Sequence, residues 1–179
     1  MNLDVIVSDY LGENTYLVYN NKDLIIIDPG CEFDLIDKYI TDNGFNLLCI
    51  LVTHYHFDHV RSLNKLISKY KTVVYDYNNI GEININNYKI DILKTFGHTD
   101  DSVTFYFKDN NVMFTGDFLF KESIGRYDFE NSSIEVMKQS IKYIKTFNEN
   151  IIIYPGHGDK STLKHEFNHN YYLNEEFLC

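Results

Sequence analysis

Leu47-Leu48-Cys49-Ile50-Leu51-Val52-Thr53 runs without a break into His54-Tyr55-His56-Phe57-Asp58-His59. The first part is short, apolar and rich in branched side chains, the pattern of a buried strand. The second part places four potential metal ligands in six residues. On a helix, positions 54 and 56 would point about 200° apart, so a helix cannot offer both to one ion. A loop leaving a strand can. A zinc-binding helix spaces its histidines four apart, as in HExxH, which this segment does not do. Neutral imidazole with carboxylate suits zinc, iron(II) or manganese(II) better than calcium or magnesium. Four polar residues on an ordinary surface loop would explain a lone HxH. They explain HxHxDH at the mouth of a buried strand less well.

Three further segments repeat the arrangement. Gly97-His98-Thr99, Gly116-Asp117 and Gly156-His157-Gly158 each follow an extended segment and set a ligand-type residue beside glycine. Glycine lets the backbone turn sharply and approach an ion. Each alone reads as a plain turn. Together with the first segment they put five of the seven histidines in ligand contexts.

The surrounding elements are regular. Asp4–Ser8, Thr15–Asn20 and Asp23–Asp28 read as extended, the last stopped by Asp28-Pro29-Gly30. Leu35, Ile36, Tyr39 and Ile40 recur at helical spacing up to Asn43-Gly44. Val60–Tyr70 is predicted as one helix with Leu63, Leu66, Ile67 and Tyr70 on a face, beginning after Asp58 and His59. Ile83/Ile85 and Ile90/Ile92 alternate around Asn86-Asn87, a hairpin signature. Val103–Phe107 and Val112–Thr115 flank a turn at Asp109-Asn110-Asn111. Ser132 and Glu135 are spaced as a capping box for a helix with Ile134, Met137, Ile141 and Ile144 inward. Ile151–Tyr154 reads as the last buried strand and Leu163–Leu173 as a terminal helix. No linker divides the chain, so residues 1–179 read as one domain of sheets covered by helices.

Composition narrows the function. The net charge of −10 and the presence of only two arginines, Arg61 and Arg126, argue against a broad phosphate-binding surface and a nucleic-acid partner. No apolar run approaches the roughly 20 residues that span a bilayer, so no membrane association is expected. Met1-Asn2-Leu3-Asp4 lacks the basic and apolar regions of a signal peptide. Cys31, Cys49 and Cys179 form no CxxC pair, and an odd count fits reduced thiols. The reading is a cytoplasmic protein.

HxHxDH followed by GHT, GD and GHG, preceded by Asp28-Pro29-Gly30, resembles the metallo-β-lactamase superfamily. Ser123-Ile124-Gly125-Arg126-Tyr127-Asp128 resembles its glyoxalase II-like hydrolases more than the lactamases. The resemblance runs from about Leu11 onward. It implies an α+β fold, an αββα sandwich of two facing sheets flanked by helices with the site on one edge. It implies that His54, His56 and His98 hold one metal, that Asp58, His59 and His157 hold a second, and that Asp117 bridges them. Zinc, two ions per chain, is the implied cofactor, with iron or manganese as alternatives. His165 and His169 match no ligand and read as polar residues of the last helix.

The implied reaction is thioester hydrolysis on a small molecule. Two ions roughly 3.5–4 Å apart share a water, lower its pKa and polarise a carbonyl. Asp58 would orient the bridging hydroxide. Arg126 falls where glyoxalase II enzymes carry a basic residue that contacts the substrate's thiol part. Asp128 falls where they carry a tyrosine, and a plain Arg126–Asp128 ion pair is the competing reading. The sequence ends soon after His157, which leads to the expectation that the helical glutathione clamp of longer relatives is missing. Cys31 reads as a buried, inert thiol. A mononuclear iron persulfide dioxygenase using His54, His98 and Asp117 is the alternative, and a lactonase or nuclease of the same superfamily is a second.

Overall fold

The computed structural model describes residues 1–179. The first sheet contains β1 (Asn2–Val7), β2 (Asn14–Asn20), β3 (Asp23–Ile27), β4 (Asn46–Leu51) and β5 (Val73–Tyr75), side by side in that order. Helix α1 (Phe33–Asn43) links β3 to β4, and α2 (Phe57–Val60) and α3 (Leu63–Tyr70) link β4 to β5. The second sheet begins with β6 (Gly81–Ile85), β7 (Tyr88–Lys94), β8 (Val103–Phe107) and β9 (Val112–Gly116). A small hairpin follows, β10 (Leu119–Phe120) with β11 (Ser123–Ile124), and then α4 (Ile134–Ile144). The chain finishes with β12 (Ile152–Pro155), β13 (Ser161–Thr162), α5 (Leu163–His169) and α6 (Glu175–Leu178). The second sheet has the order β13-β12-β9-β8-β7-β6.

Alternation along the strands builds four layers. Ile25 and Ile27 of β3 join Phe105, Phe107 and Phe114 in the core between the sheets. Leu24 and Ile26 face outward and pack with Ile36, Ile40, Leu63 and Leu66 of α1 and α3. On the far side, Met113 and Ile153 meet Met137, Ile141 and Ile144 of α4. A strand buried on both faces has no polar side to show, which is why β3 and β4 read as unbroken apolar runs. Truncating Phe105 to alanine should cost about 3–5 kcal/mol.

Strand direction sets where the site lies. β3 and β4 are parallel, and so are β9 and β12. β7 and β9 each pair antiparallel with β8, so they too run the same way. The segments carrying Asp28, His54, His98, Asp117 and His157 therefore leave the ends of β3, β4, β7, β9 and β12 along one edge. Val103 N–H donates to Thr53 O at 2.8 Å, tying the two sheets together there.

Four boundaries differ from the sequence reading. The predicted Val60–Tyr70 helix is two helices, and Asp58 and His59 lie inside the first rather than before it. The break is at Ser62, whose N–H donates to Pro29 O at 2.9 Å and whose hydroxyl donates to Cys31 O at 2.6 Å. The α4 cap is Ser133, not Ser132: the Ser133 hydroxyl accepts from Val136 N–H, while Ser132 turns back to Phe129 O. β13 follows β12, so Ile151–Tyr154 does not mark the last strand. The Leu163–Leu173 helix ends at His169, because Asn170 bonds to Glu166 and Ser123 O instead of continuing it.

Candidate metal centre

The seven residues read as ligands converge in three overlapping groups. These are His54, His56 and His98; His54, His59 and Asp117; and Asp58, His59 and His157. In each, the ligand atoms lie within 4.8 Å of one another. His54 Nε2 is 3.1 Å from His56 Nδ1, and His98 Nε2 is 3.0 Å from the same atom. A tetrahedral ion with metal–nitrogen bonds of about 2.0–2.1 Å needs ligands about 3.3–3.4 Å apart, close to this spacing.

Hydrogen bonds fix which nitrogen is bare. The Thr53 hydroxyl donates to Asp28 Oδ2 at 2.6 Å, so it accepts from His54 Nδ1 at 3.1 Å. His98 Nδ1 donates to Arg126 O at 2.8 Å, His59 Nδ1 to Asp28 Oδ2 at 2.9 Å, and His157 Nδ1 to Leu11 O at 3.2 Å. Burial, then neighbouring imidazoles, push His54 well below the usual histidine range. Burial also depresses His98, against the pull of the Asp117 carboxylate. Both are neutral, and both turn a bare Nε2 towards His56 Nδ1. At most one proton lies among those three atoms, so a cation satisfies what hydrogen bonds cannot.

The second group is acidic. Burial alone would raise the Asp58 carboxyl, but the His157 hydrogen bond and the His59 charge outweigh it and hold the group at about 2. Burial likewise opposes the His59 proton, yet the Asp117 and Asp28 carboxylates beside it raise this imidazole well above its usual range. His59 Nε2 and Asp117 Oδ1 are buried and face one another at 3.2 Å, and neither has a well-aligned hydrogen bond. Two orphaned polar atoms at the heart of a cluster are unusual in a folded protein. Donor set and orphans together fit divalent metal. Asp117 Oδ2 lies 3.7 Å from His98 Nε2 and 3.6 Å from His157 Nε2, between the groups.

Three supporting residues carry roles that sequence reading missed. Asp28 accepts from Thr53 N–H at 2.7 Å, the Thr53 hydroxyl and His59, and so braces imidazoles of both groups. Its φ of 49° is left-handed, a conformation held only by such surroundings. The DxG turn marked its position but not its partners. Glu13 is fully buried, and burial, reduced by His59 and reinforced by Asp28, pushes its carboxyl up to about 9. Phe129 packs against His56 and His98, with ring centroids at 5.2 and 5.6 Å.

A cleft of about 410 Å3 opens over His56, Asp58, His98, Asp117 and His157. Leu11, Phe120, Ile124 and Phe129 give it apolar walls, and Arg126 is its one cationic side chain. Arg126 binds Asp128 through both ends of the guanidinium, at 2.9 and 3.0 Å, so the ion-pair reading holds in this structure. A larger cavity of about 680 Å3 lies beside β7 and α4 and contains none of the clustered residues. Cys31 is buried, and burial raises its thiol to about 11, an unreactive state. His165 and His169 lie on α5, away from the cluster.

The profile of the metallo-beta-lactamase superfamily matches residues 9–96 and 89–157. A probable metallo-hydrolase of Bacillus subtilis is 30% identical, over 90% of this chain and 92% of that one. A protein of Haemophilus influenzae named hydroxyacylglutathione hydrolase is 28% identical, over 98% of this chain and 100% of its own length. Among solved structures, the BLEG-1 B3 metallo-beta-lactamase superposes with a TM-score of 0.91 at 25% identity, covering 97% of this chain and 100% of that one. TTHA1623, crystallised in a di-iron-bound form, gives 0.86 at 27% identity, covering 95% and 100%.

Proposed function

The chain belongs to the metallo-β-lactamase superfamily, as a metallo-hydrolase with glyoxalase II-like relatives, and from that premise we propose that it hydrolyses thioesters at a pair of zinc ions. The observation that carries the reading is the set of bare imidazole nitrogens and the orphaned Asp117 oxygen meeting beneath one cleft. His54 Nε2, His56 Nδ1 and His98 Nε2 would hold the first ion, and Asp58, His59 and His157 the second, with Asp117 between the two groups. Two divalent ions so held supply an activated water near neutral pH and polarise the acyl carbonyl.

The protein's own groups do the rest. Asp58 stays ionised across the neutral range and faces the cleft, where it orients the attacking water. The apolar walls exclude competing water. Arg126, at the rim, receives a carboxylate of the thiol part. The thiol leaves readily because its conjugate base is weak, with a thiol pKa near 8.5. The products are a carboxylate and a free thiol. A relative named hydroxyacylglutathione hydrolase that matches over its whole length supports this substrate class. The three unpaired cysteines suit a reducing, cytoplasmic setting.

Steady-state hydrolysis of S-lactoylglutathione, and of thioesters of other thiols, tests the proposal. Turnover that disappears in Asp58→Ala and on chelation is the expected result. No thioester turnover, with oxygen consumed on glutathione persulfide instead, would overturn it.

A further inference from the structure

Four of the five imidazoles in the centre are oriented through Nδ1 by a hydrogen bond to a group outside the ligand set. Their acceptors are Thr53 Oγ1 for His54, Asp28 for His59, Arg126 O for His98 and Leu11 O for His157. His56 is built differently. Its Nδ1 is the atom turned towards His54 and His98, and its far nitrogen, Nε2, makes no hydrogen bond within the protein. Its backbone caps α2 in an extended conformation, and its side chain is only half-buried. The one polar restraint on this ring is the contact of Nδ1 with the two facing imidazoles, which share at most one proton. No group outside the cluster keeps it from turning about its outer torsion, which is broad and soft for histidine.

What stands against it is Phe129. The Phe129 ring meets His56 with centroids 5.2 Å apart and planes at 76°, an edge-on contact. Phe129 is itself well fixed. Its carbonyl accepts from the Ser132 N–H at 3.1 Å and from the Ser132 hydroxyl at 2.8 Å. The Arg126 guanidinium lies 4.5 Å over its ring. Phe129 also touches His98, but His98 keeps its hydrogen bond to Arg126 O whatever Phe129 does.

We infer that Phe129 is the positioning residue for His56: an edge-on aromatic contact supplies the orientation that a hydrogen bond supplies to the other four histidines. Metal affinity at the first group then depends on Phe129, and that at the second does not. The inference rests on the ligand assignment proposed above and not on the substrate.

Calorimetric titration of the metal-stripped protein with zinc tests it. In a chain carrying His157→Ala, binding reports the first group. Adding Phe129→Ala there should weaken it about tenfold or more, the usual loss when a ligand's outer partner is removed. Phe129→Leu, which keeps bulk without the ring, should lose as much, and Phe129→Tyr should restore affinity. In a chain carrying His56→Ala with His157 intact, Phe129→Ala should leave the remaining binding unchanged. Equal losses with and without His56, no loss at all, or a tyrosine variant no better than alanine would each overturn the inference. Absence of zinc uptake by the parent chain would overturn the ligand assignment, and this inference with it. Loss of thioester turnover with the coupling intact would overturn only the proposed reaction.

Discussion

The Asp28 carboxylate accepts the Nδ1 proton of His59 at 2.9 Å, and both side chains are sealed from solvent. The same oxygen takes the Thr53 hydroxyl at 2.6 Å, and Thr53 in turn accepts from His54. One carboxylate thus aims two imidazoles that serve different groups.

Asp28→Asn should therefore weaken metal binding about 10–100-fold. Asparagine tolerates the left-handed backbone at this position, so the effect isolates the hydrogen bonds. Its amide must turn a second donor towards Thr53 or His59. Competition against a chromophoric chelator measures the change. Unaltered affinity would show that the bracing is unnecessary.

Metal load should be two ions per chain, with zinc the metal. Elemental analysis after extensive dialysis reads it. Saturating metal at about 100 times Kd should add about 2.7 kcal/mol to the stability of the stripped protein, seen as a higher Tm. A firm value of one ion, with iron dominant and oxygen consumed, would favour a mononuclear dioxygenase instead.

Asp117→Ala should lose more activity than His157→Ala. Asp117 Oδ1 faces His59 at 3.2 Å and Oδ2 faces both His98 and His157, whereas His157 serves one group. Removing Asp117 takes the shared counter-charge from both ions. The ratio of kcat values at full metal occupancy decides, and near-parental turnover in Asp117→Ala would contradict the bridging role.

Much of this architecture is written in local sequence patterns. The clustering of the seven candidate residues was legible because HxHxDH and three glycine-flanked partners sit where strands end. The core was legible because β3 and β4, past their first residues Asp23 and Asn46, are apolar on both faces. What stayed hidden depends on distant partners. The break at Ser62 is made by Pro29 and Cys31, which no local period announces. The cap at Ser133 rather than Ser132 turns on a hydroxyl that folds back to Phe129 O. Phe129 lies in a segment without periodicity, and its packing on His56 and His98 appears only once β7 and the β10–β11 hairpin have converged.

Arg126→Ala and Asp128→Ala should move KM in opposite directions. Asp128 holds the guanidinium through two hydrogen bonds and so competes with a substrate carboxylate. Losing Arg126 should raise KM for a glutathione thioester about three- to tenfold with kcat spared, as for binding shared by ground and transition states. Losing Asp128 should lower it. With one cation in the cleft, the starting KM is expected to be weak. Tight, glutathione-selective binding in the parent would show that other residues grip the thiol.

Gly156→Ala should disturb the centre without straining the backbone. A methyl group there would strike Asp117 Oδ1 and the His59 ring. Overpacking of this kind costs about 1–3 kcal/mol. Metal loss at the second group, alongside a folded circular dichroism spectrum, is the expected outcome. Full metal retention would mean that the cluster yields more easily than its packing suggests.

The clustered side chains and their Asp28 brace hang from the ends of strands in both sheets: Asp28 and His54 follow β3 and β4, and His98, Asp117 and His157 follow β7, β9 and β12. During synthesis, then, the emerging chain offers an ion nothing better than the HxHxDH loop, because His157 leaves the ribosome more than half a chain later than His54. Tight capture has to wait until the two sheets have docked and Val103 has latched onto Thr53. The ion arrives as a late rivet across a finished seam. It should slow the parting of the sheets far more than it speeds their meeting, so metal is expected to show itself in the unfolding rate and to leave the refolding rate nearly unchanged.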